Sequence, residues 1–100
     1  MSASQISPVS KGIALVTGAA QGIGRVVALR LAHDGFDLAI NGTVADERLE
    51  SLAEEIRIMG RNALIVAGDV TLEDDVAGMV AKTVKVLGSL DVVGVWHELS

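Results

Sequence analysis

The sequence predicts an α/β domain built on a parallel sheet, and three observations predict it. Short apolar runs alternate with longer segments whose apolar residues recur every third or fourth position. The runs are apolar at nearly every position, as strands buried on both faces require. Glycine follows the end of each periodic segment. Alternation of this kind builds right-handed βαβ units.

Taken in order, Ile13–Val16 is the first apolar run and stops at Thr17-Gly18. From Ile23 a helix follows, with an expected inner stripe of Ile23, Val27 and Leu31, and Gly35 stops it. Asp37–Ile40 is the second strand and ends at Asn41-Gly42. Leu49, Leu52, Ala53, Ile56 and Met59 form the inner face of the second helix, with Glu50, Glu54, Glu55 and Arg57 largely on its wet side. Gly60 closes it, and residues 63–67 make the third strand. Thr71 and Asp74 form a Ser/Thr-x-x-acid pattern that places a helix N-cap at Thr71. Val76, Met79, Val80, Thr83, Val84 and Leu87 continue that helix to Gly88, and the fourth strand runs over 90–96.

One hundred residues suit one small domain. We assign 11–100 to it and read the polar residues 1–10 as a flexible leader. The leader has neither the apolar core of a signal peptide nor the arginines of a transit peptide, so the cytosol is the expected location. No apolar stretch is long enough to span a membrane. The net charge is −5 and the eight basic residues are scattered, which argues against nucleic acid and anionic membrane as partners. Cysteine is absent, so there is no disulfide frame and no thiolate nucleophile, and no metal site is expected.

The strongest signal is Thr17-Gly18-Ala19-Ala20-Gln21-Gly22-Ile23-Gly24, set between a buried strand and an amphipathic helix. Gly18 would turn tightly off the strand. Gly22 would leave the backbone open to a pyrophosphate, and Gly24 would let the helix lie close on the sheet. Backbone N–H groups around Gly22 and Ile23 would point at the phosphates, aided by the helix dipole.

This Thr-Gly-x-x-x-Gly-x-Gly turn resembles the cofactor loop of short-chain dehydrogenase/reductases. Gly68-Asp69-Val70 resembles the family's Asp-Val landmark, which meets the adenine, and Leu90-Asp91-Val92-Val93 resembles the start of its fourth strand. The run from Ala14 to Gly24, followed by Ala28-Leu29-Arg30-Leu31-Ala32, looks most like diacetyl/acetoin reductases, then 3-oxoacyl carrier-protein reductases. The resemblance implies a Rossmann-type βαβαβαβ domain with sheet order 3-2-1-4, the first two helices on one face and the third on the other. It implies a dinucleotide ligand, NAD or NADP, held by Gly18, Gln21, Gly22, Ile23, Gly24, Asp69 and Val70. For Asp69 two readings stand together: its carboxylate accepts from the adenine amino group, or it caps the turn before Thr71.

The sequence departs from the family in two places. An acid past the second strand suits NAD and a basic residue suits NADP. Here Asn41-Gly42-Thr43 offers neither, and Gln21 in the loop is neutral. Asp46 and Arg48 lie further on, at the expected start of the second helix. The family also protonates its carbonyl with a Tyr tuned by a Lys, and this chain has no Tyr. After Val93 the sequence runs Gly94-Val95-Trp96-His97-Glu98-Leu99-Ser100 in place of the family's Asn-Ala-Gly, as a changed reading frame or retained intron would. No residue is assigned a catalytic role, His97 included. The expectation is a truncated nucleotide-binding portion, inactive alone. The alternatives are a non-enzymatic module pairing with a full-length relative and, disfavoured by the turn spacing, another Rossmann-like enzyme such as a methyltransferase. An uncovered sheet face and the fourth-strand edge would favour self-association or such a partner.

Overall fold

A computed structural model describes residues 9–94. Four strands and three helices alternate: β1 (Ile13–Val16), α1 (Gly22–His33), β2 (Asp37–Ile40), α2 (Glu47–Ile58), β3 (Ala63–Ile65), α3 (Glu73–Leu87) and β4 (Val92–Gly94). The sheet order is β3-β2-β1-β4 and every pairing is parallel, as the sequence predicts. The expected leader falls largely outside the described residues, and the tail over 95–100, with His97, wholly outside them.

The two faces of the sheet bury separate clusters. Ala14, Val16, Leu38 and Ile40 point to α1 and α2 and pack on Ala28, Ala32, Leu49, Leu52 and Ile56. Leu15 and Ala39 point the other way and meet Val66 and Met79 of the α3 side. Alternate residues of one strand thus enter opposite cores, which is why β1 and β2 are apolar throughout.

Some expectations change in detail. The stripe on α1 is not Ile23, Val27 and Leu31. Gly24, Ala28 and Ala32 form the buried line, Val27 and Leu31 flank it half-buried, and Ile23 is 68% exposed. The inner line of a helix lying this close to a strand is made of small residues, because nothing larger fits beneath it. Met59 is not an inner residue of α2 but its exposed C-cap. On α3, Val84 is exposed, whereas Thr83 is fully buried and its hydroxyl donates to the Met79 carbonyl at 2.7 Å.

The N-cap of α3 is Leu72, not Thr71, and no side chain caps it. Thr71 instead bonds back to Asp69, whose Oδ1 accepts from the Thr71 N–H at 2.9 Å and its hydroxyl at 2.6 Å. Glu73, Asp74 and Asp75 fill the first turn, where negative charge favours the helix dipole. The strands are shorter than the apolar runs: β3 ends at Ile65, and β4 begins at Val92. Asp91 precedes β4 and bonds β1 on two sides, its N–H to the Ile13 carbonyl and its Oδ2 to the Ile13 N–H, both at 2.9 Å.

Candidate functional site

The carboxyl ends of β1, β2 and β3 open into one cleft of about 540 Å³. All seven residues expected at a dinucleotide, Gly18, Gln21, Gly22, Ile23, Gly24, Asp69 and Val70, line it. Open α/β sheets take their ligands outside the carboxyl ends of their strands, where this cleft lies.

The glycine turn has the backbone that its sequence demands. Gly18 and Gly22 sit at φ +58° and +63°, in the left-handed region that side chains resist. A Cβ on Gly22 would meet nothing within 4 Å, so the backbone there faces open space. Gly24 differs, being buried beneath the turn. A Cβ there would lie 2.1 Å from the Gly18 carbonyl oxygen and 3.1 Å from that of Thr17. It therefore sets the approach of α1 to the turn leaving β1. The N-cap of α1, Gln21, makes no side-chain capping bond, and the first turn carries no acid. An uncapped helix start presents its N–H groups and positive dipole end to whatever occupies the cleft.

Asn41 is the residue that sequence reasoning passed over. It is 2% exposed at the end of β2 and joins three strand ends. Its Oδ1 accepts from the Gly18 N–H at 3.3 Å. Its amide nitrogen lies 2.9 Å from the Val66 carbonyl oxygen and 3.2 Å from those of Gly42 and Gly68, with Met79 Sδ at 3.0 Å. The Asn41 carbonyl also accepts from Ala19 N–H at 2.7 Å. The absence of an acid here thus has a structural reason, since this side chain holds the glycine turn onto β2 and β3. Only the switch from the apolar run to an amide marked the position in the sequence.

Asp46 and Arg48 belong to the site and to the helix start at once. Asp46 is the N-cap of α2, its Oδ1 accepting from the Arg48 and Leu49 N–H groups at 3.0 and 3.2 Å. Its Oδ2 accepts from Arg48 Nε and Nη2 at 3.3 and 3.0 Å. The Arg48 guanidinium, then the Leu49 N–H, hold the Asp46 carboxyl below the usual carboxylate range. Arg48 Nη1 reaches across to Gln21 Oε1, joining α2 to the glycine turn. Both residues line the cleft.

Asp69 lies on the opposite wall, after β3. Its carboxylate closes the turn with Thr71, and its N–H donates to Asp75 Oδ2 at 2.9 Å. The turn-capping geometry is therefore present at a residue that also lines the cleft. Among the described residues no group of acids and histidines could hold a metal ion, and no helix is long and apolar enough to cross a membrane.

The sequence profile of the short chain dehydrogenase family matches residues 12–95. The chain is 52% identical over 87 residues to a short-chain dehydrogenase/reductase of Hericium erinaceus, covering 84% of this chain and 34% of that protein. It is 41% identical over 80 residues to a 3-oxoacyl-acyl-carrier-protein reductase of Staphylococcus aureus, covering 80% and 32%. A crystal structure of a short-chain type dehydrogenase/reductase from Mycobacterium marinum superposes with a TM-score of 0.77 at 38% identity, covering 84% and 33%. The chain thus spans about one third of the length of these relatives. With the parallel sheet, the glycine turn and the matched profile in agreement, the chain belongs to the short-chain dehydrogenase/reductase family.

Proposed function

We propose that the cleft binds NAD(P)(H) and that the chain is the nucleotide-binding portion of a family oxidoreductase. The observation that carries this reading is the uncapped start of α1 beside Gly22, where the backbone lies open to the cleft. A pyrophosphate placed there would accept from the Gly22 and Ile23 N–H groups and meet the positive end of α1. Gly18 shapes the turn and Gly24 seats it, while Gln21 fixes the loop's outer edge through Arg48. Asp69 and Val70 form the adenine wall, at the far end of the cleft.

Titration of the chain with NADH and NADPH, followed by calorimetry or nucleotide fluorescence, tests the reading. Gly22→Val is expected to weaken binding at least about tenfold, because its side chain would project into the open space beside the phosphates. Since Gly22 sits at positive φ, the variant's helical circular dichroism must be shown to match the parent's. A folded variant with unchanged affinity would remove the loop from the site.

Carbonyl reduction by the 100-residue chain is not expected. The family's proton donor is a Tyr, and this sequence has none to place near a carbonyl. The check is nucleotide oxidation with diacetyl or acetoin as substrate, measured on material purified until the background is constant. Turnover that co-purifies with the chain would overturn this reading.

A second reading, of the chain as an interaction module, is favoured by β4. Val92 pairs beside Ala14 and Val93 beside Leu15, so the two valines point to opposite faces of the sheet. They are 40% and 53% exposed, and no strand lies on the outer side of β4 among the described residues. An edge that is apolar on both faces, without lysine or proline to blunt it, pairs readily with another chain. We expect self-association, or pairing with a full-length relative, through this edge. Light scattering after size-exclusion chromatography over a dilution series should show a mass that falls with dilution. A monomer that binds no hydrophobic dye at high concentration would exclude it.

A further inference from the structure

We propose that Asn41-Gly42 is a self-modification site: its side-chain amide is hydrolysed to a carboxylate in chains that have unfolded, and the products return poorly to the fold. The two residues are required by packing and made reactive by their order in the chain.

Asn41-Gly42 is the only Asn-Gly pair in the sequence, and the other asparagine, Asn62, precedes Ala63. In a flexible chain the Gly42 backbone nitrogen loses its proton to base and attacks Asn41 Cγ. A five-membered imide forms as the Cγ–Nδ2 bond breaks and ammonia leaves with a proton taken from water. A second water then opens the ring. Cleavage between the Gly42 nitrogen and Cγ gives aspartate. Cleavage between that nitrogen and the main-chain carbonyl carbon gives isoaspartate, with the chain rerouted through Cβ and Cγ. The balance is amide plus water to acid plus ammonia, with no oxidant and no reductant. Glycine hinders the attack least, having no side chain and the widest backbone freedom.

The fold opposes each requirement of this reaction. Asn41 is 2% exposed, which keeps base and water from it. Its N–H donates to the Val16 carbonyl at 2.9 Å and its carbonyl accepts from the Ala19 N–H at 2.7 Å. Its Oδ1 accepts from the Gly18 N–H, and its amide nitrogen is held against the Val66 and Gly68 carbonyl oxygens. Turning Cγ onto the Gly42 nitrogen would break these buried bonds. The fold also retains the reactive pair. A Cβ on Gly42 would lie 2.9 Å from Leu49 Cδ1 and 3.3 Å from the Val44 carbonyl oxygen, so the seat of α2 favours glycine there.

Both products lose what Asn41 supplies. An aspartate at position 41 turns a charged acceptor toward the Val66 and Gly68 carbonyls. Isoaspartate lengthens the main chain at the end of β2 and pulls apart the bonds to Val16 and Ala19. Refolding does not reverse the hydrolysis, so each period spent unfolded removes chains from the folded pool.

The test incubates the full chain at mildly alkaline pH, in buffer and in guanidinium chloride, and follows the mass gain of amide-to-acid conversion. Tryptic peptides 31–48 and 62–82 separate the two asparagines. In denaturant, Asn41 should convert severalfold faster than Asn62. In buffer, Asn41 conversion should slow at least about tenfold, since even a marginally stable domain keeps under about a tenth of its chains unfolded. After partial conversion and removal of denaturant at neutral pH, the folded fraction from size-exclusion chromatography should be depleted severalfold in converted chains. Equal rates for Asn41 in buffer and denaturant would overturn the protection. Asn41 converting no faster than Asn62 in denaturant would overturn the site. Converted chains refolding in proportion to their abundance would overturn the consequence.

Discussion

Gly24→Ala is expected to cost the domain about 3 kcal/mol or more, at the upper end of what overpacking does. The new methyl would stand 2.1 Å from the Gly18 carbonyl oxygen and 2.8 Å from its carbon. Both are backbone atoms of a turn whose Gly18 N–H donates to Asn41 Oδ1, so relief requires moving α1 or the turn. The melting temperature should fall by roughly 12–24 °C for a domain of this size. Gly78→Ala is the matched control. Gly78 lies within α3 with nothing within 4 Å of its Cβ, so alanine should stabilise by about 0.5–1 kcal/mol through helix propensity. Thermal melts of both variants against the parent should move in opposite directions. A Gly24→Ala protein as stable as the parent would show that the close seat of α1 on the turn is wrong.

Asn41→Asp should produce the second large effect, and one that depends on pH. The carboxylate would keep an acceptor for the Gly18 N–H, but its other oxygen would face the carbonyls of Val66 and Gly68 where an amide nitrogen now donates. Acceptor against acceptor, buried and carrying charge, should cost about 3 kcal/mol or more at neutral pH. A protonated carboxyl can donate to one of those carbonyls, so folding favours the neutral form and raises the pKa of the introduced carboxyl above its unfolded value of about 3.9. A raised folded pKa means that the neutral form's stability is fully present below about pH 3.9 and is lost as pH rises through the folded pKa. The loss should run at about 1.4 kcal/mol per pH unit in that window. Urea unfolding of variant and parent at several pH values from about 4 to 7 should show a difference that widens with pH. A difference constant over that range would mean that the position does not bury the charge. The same experiment explains why this chain lacks an acid at the end of β2: the position is occupied by structure before it is available to a ligand.

The order of elements, the parallel sheet and the glycine turn were determined by the sequence alone, because each leaves a local or periodic mark. An apolar run closed by Thr17-Gly18 and followed by helical spacing has few other solutions, and β1 and α1 appear there. The seven residues expected at the cofactor also converge on one cleft, since the sheet brings the ends of β1 and β3 to the same edge. What tertiary structure decided were matters of distance between elements, which no local pattern records. Ile23 continues an apolar stripe on paper, yet the narrow gap under α1 admits only Gly24, Ala28 and Ala32 and leaves Ile23 outside. Thr71 carries the signature of a helix cap, yet Asp69 takes its hydroxyl two residues back and the helix N-cap falls at Leu72. Asn41 reads as a residue ending a strand, and becomes the tie among three loops only once β1, β2 and β3 are side by side. Arg48 reads as part of a charged helix start. Its bond to Gln21, 27 positions away, exists because the glycine turn and α2 are brought to one wall of the cleft. Local chemistry therefore wrote the architecture, and the closeness of elements distant in sequence assigned the polar side chains their partners.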